Sequence, residues 1–265
     1  MSAMNPFPVV VSSCDAYADL WPAFFHFLFR YWPDVPQPVY LISNQKRYDD
    51  PRVVTLALGH DHHWASNTLE ALARVPGDSL LYLQDDYLLS GPADGAALAR
   101  LHAAHVASGA AATSLYNRPV TGTPTETPGV TACDAANDWV FDFQAAFWDK
   151  KQILPLITPG ATPWHSEGEM NEKARAQAAG GGFRVVTPDH PVVLPYLQGI
   201  RGGMWLPEAR ALCAAHGIAP DFRFRPCARF RAGFVNRFYR SYLKRRARAY
   251  RRKLGPGGTV VRPVG

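Results

Sequence analysis

Four short apolar runs in the first ninety residues constrain the fold of this chain more than any other feature. They cover residues 7–12, 38–43, 52–58 and 80–89, and each ends in polar or turn-forming residues. Residues 17–32, between the first two runs, carry aromatic side chains at helical spacing and are closed by Pro33. Short continuous apolar runs predict strands buried on both faces, and strands that alternate with helices predict a parallel sheet. The sequence therefore predicts an α/β single domain with a mostly parallel central sheet.

Two adjacent carboxylates lie at the end of the fourth run, LLYLQDDYLLSG. The run is predicted to be one buried strand that carries Asp85 and Asp86 to its end. Adjacent carboxylates repel each other, so acids at the end of an apolar run indicate a cation, a proton or a ligand that offsets their charge. We predict that this pair holds a divalent metal against the phosphates of an activated substrate. The alternative is a solvated turn, since Asp is common in turns.

Polar loops follow two other predicted strands. One loop begins with Ser12-Ser13-Cys14-Asp15, and the other spans residues 59–67 and contains the sequence HDHH. Ligands of open α/β sheets bind beyond the carboxyl ends of the strands, so both loops and the two acids are predicted to converge on one crevice. The HDHH sequence also raises a zinc interpretation. Protein zinc sites usually use helical or longer ligand spacings, which favours a plain loop.

The second half of the chain is less regular. Residues 117–137 are rich in Thr, Pro and Gly and predict a long loop, and the aromatic residues 138–148 predict a strand or hairpin. The segment 162–169 places acids beside an aromatic residue just before a helix near residues 170–179. Residues 192–205 end in a Gly-rich turn whose Arg201 can meet a phosphate.

Charge divides the chain into two parts. Residues 222–265 contain 14 Lys and Arg and no acid, while residues 1–221 hold the other 14 basic residues and all 22 acidic ones, a net charge of −8. We therefore predict an acidic domain over residues 1–221 and a basic extension over residues 222–265. The four Cys are far apart, which favours a reducing, cytoplasmic compartment. No signal peptide or long apolar segment is predicted, so contact with a membrane would be peripheral.

Five stretches of this chain resemble bacterial polysaccharide-type glycosyltransferases with a GT-A fold. They are VVVSSCDAYADLWPAFFHFLFRYWPD, DHHWASNTLEAL, LLYLQDDYLL, PWHSE and YLQGIRGGMW, within residues 7–206, and DDY is a variant of the DxD signature. The resemblance implies a Rossmann-like GT-A domain with a nucleotide-sugar half (7–116) and an acceptor half (117–221). It also implies sugar transfer from a nucleotide-sugar donor to a glycan or lipid-linked acceptor in capsule, O-antigen or exopolysaccharide synthesis.

The resemblance further implies a divalent metal, Mn²⁺ or Mg²⁺, because a divalent ion neutralises the charge on a departing phosphate. Asp86 is expected on the metal and Asp85 on the ribose or sugar of the donor. His190 is a second expected metal ligand, with a plain loop histidine as the alternative. The other residues expected to bind the donor are Ser12, Ser13, Asp15, Trp64, Ser66, Asn67 and Arg201.

An inverting transferase needs a general base for the acceptor hydroxyl. Glu167, in the PWHSE stretch, matches the acceptor-side acid of the family by position, and Glu169 is the reserve candidate. Trp164 is expected beside them on the acceptor side. Alternatively, both acids are residues of a helix N-terminus, where the helix dipole favours negative charge.

The basic extension predicts an amphipathic helix, in which Phe234, Phe238 and Tyr242 recur every four residues. Such a helix suits an anionic membrane surface, here the inner face of the cell membrane, where each Lys or Arg contributes about 1 kcal/mol. The alternative is a solvated helix docked on the acidic domain. Arg and aromatic residues also suit nucleic acid, but the domain is acidic and carries no recognised motif, so no nucleic-acid partner is expected. A metal-dependent nucleotidyltransferase or phosphohydrolase is a third alternative, although such enzymes generally need further carboxylates.

Overall fold

The computed structural model describes residues 7–116, 121–179, 185–188, 192–228, 234–254 and 260–263. The strands are β1 (Val9–Ser12), β2 (Val39–Ser43), β3 (Arg47–Tyr48), β4 (Val53–Ala57), β5 (Ser79–Gln84), β6 (Tyr87–Leu89), β7 (Ala112–Ser114), β8 (Gly122–Pro124), β9 (Val130–Cys133), β10 (Ala146–Asp149), β11 (Val185–Pro188), β12 (Tyr196–Gln198), β13 (Ile200–Arg201), β14 (Met204–Trp205) and β15 (Val260–Val261). The α-helices are α1 (Trp21–Tyr31), α2 (His63–Arg74), α3 (Gly95–Ser108), α4 (Lys150–Ile153), α5 (Pro163–Ala179), α6 (Pro207–Ala215) and α7 (Phe234–Leu254).

Within the described residues, a nine-stranded sheet has the order β4-β2-β1-β5-β10-β7-β11-β9-β8. The first four strands are parallel, and β10 runs antiparallel to both of its neighbours. Beyond β10, β7 and β11 are parallel to each other. β9 is antiparallel to β11, and β8 is antiparallel to β9. Seven of the nine strands therefore point the same way. The predicted α/β class with a mostly parallel central sheet is confirmed, and the basic extension contains a helix as predicted.

Alternate residues of the central strands enter two separate cores, one on each face of the sheet. Val9 and Val11 pack with the aromatic residues of α1, whereas Val10 packs with Tyr82 and with α2. Successive side chains of a strand point to opposite faces, so a strand covered on both faces must be apolar throughout. This is why the strands appear in the sequence as continuous apolar runs rather than as alternating patterns.

The fourth apolar run was predicted as one strand, and that prediction is wrong. β5 ends at Gln84, Asp85 and Asp86 form a turn, and β6 begins at Tyr87. β6 leaves the central sheet and pairs in antiparallel fashion with β12. Inside the buried sheet the two carboxylates would lack hydrogen-bond and charge partners. The turn carries them out of the sheet to the edge of a cavity.

The segment around residues 138–169 also departs from its prediction. Only Ala146–Asp149 forms a strand, because the amide oxygen of Asn171 accepts the backbone N–H groups of Val140 (2.9 Å) and Phe141 (3.2 Å). α5 begins at Pro163, so Trp164 and Glu167 lie inside the helix rather than before it. A proline at the first helical position lacks only a hydrogen bond that would not be made there anyway.

The start of the basic extension packs against the acidic domain. Trp205 donates its backbone N–H to the carbonyl of Pro226 (2.9 Å), and Ala228 donates to the carbonyl of Trp205 (2.7 Å). In α7, Ala247 is buried, while Tyr242 is exposed. Backbone hydrogen bonds between the domain and the extension thus continue past the boundary proposed at residue 221. Among the described residues, no helix combines the length and apolarity that crossing a bilayer requires.

Candidate active site

A cavity of about 340 Å³ opens at the carboxyl ends of the parallel strands. It lies where β1 and β5 end side by side and where α2 begins. The lining residues are Ser12, Ser13, Cys14, Tyr17, Ile42, Asp61, His63, Trp64, Asn67, Thr68, Gln84, Asp85, Asp86, Thr162, Pro163 and Trp164. We call it the strand-end cavity. The predicted convergence of three polar strand ends on one crevice agrees with this placement.

Asp85 is buried and held in place by two side chains. Ser13 donates its hydroxyl to Asp85 Oδ2 in a short hydrogen bond, and the Ser13 oxygen accepts from Trp21 Nε1 at 2.7 Å. Burial, together with the charge of Asp86, raises the pKa of Asp85 well above its usual range. Asp85 is therefore a fixed acid in the wall of the cavity, and a cation beside it would favour its charged form.

Asp86 is the more accessible acid of the pair. Its side chain lines the strand-end cavity and also borders a second cavity described below. Its backbone carbonyl accepts the N–H of Gly199 at 2.6 Å, which fixes the turn. Burial raises the pKa of Asp86 to about 6. Two acids with raised pKa values therefore face the same space, and a cation between them would favour their charged forms.

Trp64 lines another side of the strand-end cavity, and three aromatic rings packed behind it complete what we call the aromatic wall. Trp64 donates its indole N–H to Ser12 Oγ at 3.1 Å and also lies 3.2 Å from Tyr82 Oη. Its ring packs on Phe143, with the ring centroids 4.4 Å apart, and Tyr82 stacks on Trp148 at 3.8 Å. The wall is rigid, because each ring is fixed by packing or by a hydrogen bond. A flat apolar surface of this kind suits a nucleoside base.

The loop before α2 brings a third acid to the cavity. Asn67 donates its side-chain N–H to Asp61 Oδ1 at 2.9 Å, and the backbone N–H of His63 donates to the same oxygen at 3.0 Å. His63 lies in the left-handed region, with φ of 68°, which is uncommon for a residue other than glycine. Asp61, His63 and Asn67 therefore reach the cavity, as predicted for this loop, although of the three only Asn67 is expected to bind the donor.

Several residues expected to bind the donor do not line this cavity. The carboxylate of Asp15 accepts backbone N–H groups from Asn44, Gln45 and Lys46 at 3.0–3.1 Å, so it braces the loop after β2. The hydroxyl of Ser66 accepts the N–H of Gly160 at 3.0 Å. Both side chains are used in structural hydrogen bonds.

Three other residues predicted at the site are not placed at the strand-end cavity either. Glu169 pairs with His165 at 3.0 Å, and a hydrogen bond from Thr158 lowers its pKa. Arg201 lies at the second cavity rather than the first. His190 lies outside the described residues.

Glu167 and Trp164 lie one turn apart on α5, at the spacing that places two side chains on the same face of a helix. Trp164 is 79% exposed and lines both cavities. Glu167 Oε1 accepts the backbone N–H of Phe143 at 3.1 Å. Burial, followed by the charges of Asp86, Asp142 and Glu167, raises the pKa of Tyr87. Glu167 therefore belongs to the acidic surroundings of the Asp86 turn without lining either cavity.

The second cavity, of about 630 Å³, lies between the domain and α7. It shares Tyr17, Asp86 and Trp164 with the first, and its other lining residues are Ala16, Gln198, Ile200, Arg201, Gly202, Gly203, Arg225, Lys244, Arg248 and Arg251. We call it the basic cavity. Arg225 was not predicted at the site, because it lies in the segment interpreted as a separate extension.

Arg225 is buried at the border of the basic cavity. Its guanidinium donates to both oxygens of Asp19 at 2.8 Å and to the carbonyl of Ala16 at 2.7 Å, and it lies 4.4 Å from the ring centroid of Tyr17. A bidentate Arg–carboxylate pair is geometrically specific. Arg225 therefore fixes the loop after β1, which carries Ser13 and Tyr17, and joins the basic extension to the site.

The residues at the strand-end cavity fit a hard divalent cation. Carboxylate oxygens suit Mg²⁺ or Mn²⁺, and Mg²⁺ is usually held by one or two carboxylates together with substrate phosphates and water. No group of three or more His, Cys, Asp or Glu that could hold a metal is found among the described residues. Asp86, with Asp85 behind it, therefore matches a site that the phosphates of a substrate would complete.

Comparison with known proteins finds no matching family model and no matching curated protein. Among solved structures, S. aureus TarS is similar at 11% identity and a TM-score of 0.46, over 72% of this chain and 59% of that one. The UTP-bound UGPase from Acinetobacter baumannii is similar at 12% identity and a TM-score of 0.43, over 68% of this chain and 84% of that one. A Drosophila β1,4-galactosyltransferase 7 mutant, in complex with manganese, UDP-Gal and xylobiose, is similar at 12% identity and a TM-score of 0.38. The match covers 74% of this chain and 71% of that one. This chain thus spans less than two thirds of the TarS chain.

Proposed function

We propose that this protein is a metal-dependent glycosyltransferase that moves a sugar from a nucleotide-sugar donor to a glycan or lipid-linked acceptor. The observation that carries the proposal is the pair Asp85 and Asp86, turned out of the sheet into a cavity that ends in an aromatic wall. The nucleoside would occupy the strand-end cavity against Trp64. The phosphates and the sugar would extend toward Asp86.

Asp86 would hold the divalent ion, with Asp85 behind it. When bound, the ion supplies positive charge to the phosphate oxygens that become more negative as the bond to the sugar breaks. Asp85 keeps its position through Ser13 and Trp21, so the turn does not have to reorganise when the donor arrives. Trp64 and Ser12 would orient the nucleoside through the indole ring and the hydroxyl group that it contacts.

Glu167 would act as the general base of an inverting transfer. It would take the proton of the acceptor hydroxyl as that oxygen attacks the anomeric carbon, and the bond from that carbon to the donor phosphate breaks. Its position one turn after Trp164 supports this role, since Trp164 borders both cavities. The backbone N–H of Phe143 donates a hydrogen bond to one oxygen of the Glu167 carboxylate, and this bond fixes the orientation of the carboxylate.

The place of the reaction follows from the sequence resemblance alone. We propose that the acceptor belongs to cell-surface polysaccharide synthesis and that the enzyme works at the cytoplasmic face of the membrane. The exposed Tyr242 on α7 is compatible with a peripheral contact, and the packed Ala247 supports docking of the same helix on the domain.

The test is a thermal-shift panel of UDP-, GDP-, CMP- and dTDP-sugars, each measured with Mn²⁺ and with a chelator. A ligand at a hundred times its Kd stabilises the folded state by about 2.7 kcal/mol, which is roughly 5–10 °C for a domain of this size. We expect one nucleotide family to give such a shift with Mn²⁺ and a much smaller one with the chelator. If no nucleotide sugar stabilises the protein, the proposal is wrong.

A further inference from the structure

The basic cavity contains far more positive than negative charge. Its lining holds five cationic side chains and one carboxylate, Asp86. The cationic residues are Arg201, Arg225, Lys244, Arg248 and Arg251. They come from three separate parts of the chain, so the concentration of charge is a property of the fold and not of a single basic run.

Three of the cations lie on one face of α7. Lys244, Arg248 and Arg251 follow the i, i+4, i+7 spacing that aligns side chains along a helix. Opposite them, Gly202 and Gly203 form a turn with φ of 57° and 75°, which brings the backbone beside Arg201 close to the helix. A side chain at Gly202 would meet Lys244 Nζ at 3.9 Å. The helix and the turn thus form two walls of one cavity.

Four of these five cations form no ion pair with a carboxylate within the described part of the chain. Arg225 is neutralised by Asp19, but no ion pair there involves Arg201, Lys244, Arg248 or Arg251. Burial, followed by the charge of Arg225, lowers the pKa of Arg251, and Arg248 acts in the same direction. Like charges that converge on a cavity destabilise each other unless an anion lies between them.

We propose that the basic cavity binds a phosphate group of the acceptor substrate. Phosphate oxygens accept several charge-assisted hydrogen bonds at once, and Arg and Lys are the residues that proteins use for them. The inference rests on the proposed function and deepens it, because it assigns the acceptor to the phosphate-bearing class.

The geometry favours the acceptor over the donor as the source of this phosphate. Asp86 and its ion would already neutralise the donor phosphates, so the unpaired cations would remain for a second anion. The basic cavity is also larger than the strand-end cavity, at about 630 Å³ against about 340 Å³. Trp164, 79% exposed at the boundary, offers an apolar face on which an acceptor sugar can lie beside Asp86.

Two sources can supply such a phosphate: a lipid-linked diphosphate or a water-soluble phosphorylated glycan. Farnesyl diphosphate and glucose 1-phosphate are probes for the two. Each is titrated into the full-length protein by calorimetry after saturation with Mn²⁺ and a nucleoside diphosphate. The double variant Lys244→Gln/Arg248→Gln removes two cations from the cavity. Arg245→Gln/Arg252→Gln removes the same charge from the same helix at residues that do not line it.

We expect at least one probe to bind in the presence of the nucleoside diphosphate. In Lys244→Gln/Arg248→Gln its affinity should fall about tenfold or more, because two charge-assisted contacts are lost. The affinity for the nucleoside diphosphate should stay within about twofold, and the control variant should match the wild type for both ligands. Preference for farnesyl diphosphate would indicate a lipid-linked acceptor, and preference for glucose 1-phosphate a soluble one.

Three results would overturn the inference. Displacement of the probe by the nucleoside diphosphate, or an equal loss of affinity for both ligands in the variant, would make the basic cavity part of the donor site. Equal effects of the two double variants would show only a general dependence on charge. Failure of the proposed function looks different: no nucleoside diphosphate would bind the wild type at all, while the probe titration without nucleotide would still test the basic cavity.

Discussion

The strand-end cavity and the basic cavity meet at Asp86, and their walls differ in both charge and origin. The strand-end cavity is lined by aromatic rings, hydroxyl groups and carboxylates, with no Lys or Arg among its described lining residues. The basic cavity has five cations, and its walls come from α7, the Gly202–Gly203 turn and Arg225. The ends of parallel strands thus supply the acids, and the basic extension supplies four of the five cations. A substrate that reaches across Asp86 would pass from an acidic, aromatic region into a basic one.

The largest expected effect is at the residue that the two cavities share. Asp86→Asn keeps the shape of the side chain and removes its charge. We expect sugar transfer to fall about 10³-fold and the Mn²⁺-dependent thermal shift with the donor to disappear. Asp78→Asn is the control, because Asp78 is an exposed acid that lines neither cavity. Transfer in Asp86→Asn within tenfold of the wild type would show that the carboxylate does not hold the ion.

The second prediction asks whether the basic extension is part of the folded domain. Arg225→Met leaves Asp19 without its buried partner, and we expect a loss of about 3 kcal/mol, or roughly 6–12 °C in melting temperature. Arg223→Met is the matched control, since Arg223 is exposed and pairs with the surface residue Asp221 at 3.1 Å. It should leave the melting temperature almost unchanged. Equal melting temperatures for the two variants would mean that the extension is only loosely attached.

The third prediction separates the acceptor side from the donor side. Glu167→Gln retains an oxygen that can accept the N–H of Phe143 and removes the group that takes a proton. We expect kcat to fall about 10²-fold or more, with donor affinity unchanged. Glu169→Gln should stay close to the wild type, because Glu169 is paired with His165 and, unlike Glu167, is not among the acids whose charge acts on Tyr87 beside Asp86. Turnover by Glu167→Gln within a few-fold of the wild type would exclude Glu167 as the base.

The smallest effect is expected at the aromatic wall. Trp64→Phe keeps a ring against Phe143 and removes the N–H that reaches Ser12 and Tyr82. We expect donor affinity to fall about fivefold, the effect of roughly one hydrogen bond, with little change in kcat. Calorimetry with the nucleoside alone is the check. An unchanged nucleoside affinity would show that the indole N–H does not contribute to nucleoside binding.

The sequence predicted the acidic half of this comparison because the signals there are local. Parallel strands buried on both faces appear as apolar runs, and their polar ends must meet at one edge of the sheet. That reasoning located Ser12, Ser13, Trp64, Asn67, Asp85 and Asp86 in one cavity. It also predicted that the loop containing Asp61 and His63 would reach this cavity, although it favoured no ligand-binding role for them.

The place of Arg225 in the basic half was not predictable, because its contacts are distant in sequence. Arg225 and Asp19 are 206 residues apart, and no local pattern pairs them. β6 separates from β5 because it pairs with β12, more than one hundred residues later. Asp15 shows a different limit: an acid in a strand-end loop can bind a ligand or the backbone, and here three backbone N–H groups of the next loop occupy it.

The most direct test of the account is a crystal structure with Mn²⁺ and the nucleoside diphosphate that stabilises the protein most. We predict the base against Trp64 in the strand-end cavity, the ion on Asp86, and the basic cavity without a nucleotide phosphate. A nucleotide seated among Lys244, Arg248 and Arg251, or an ion bound away from Asp86, would contradict the account.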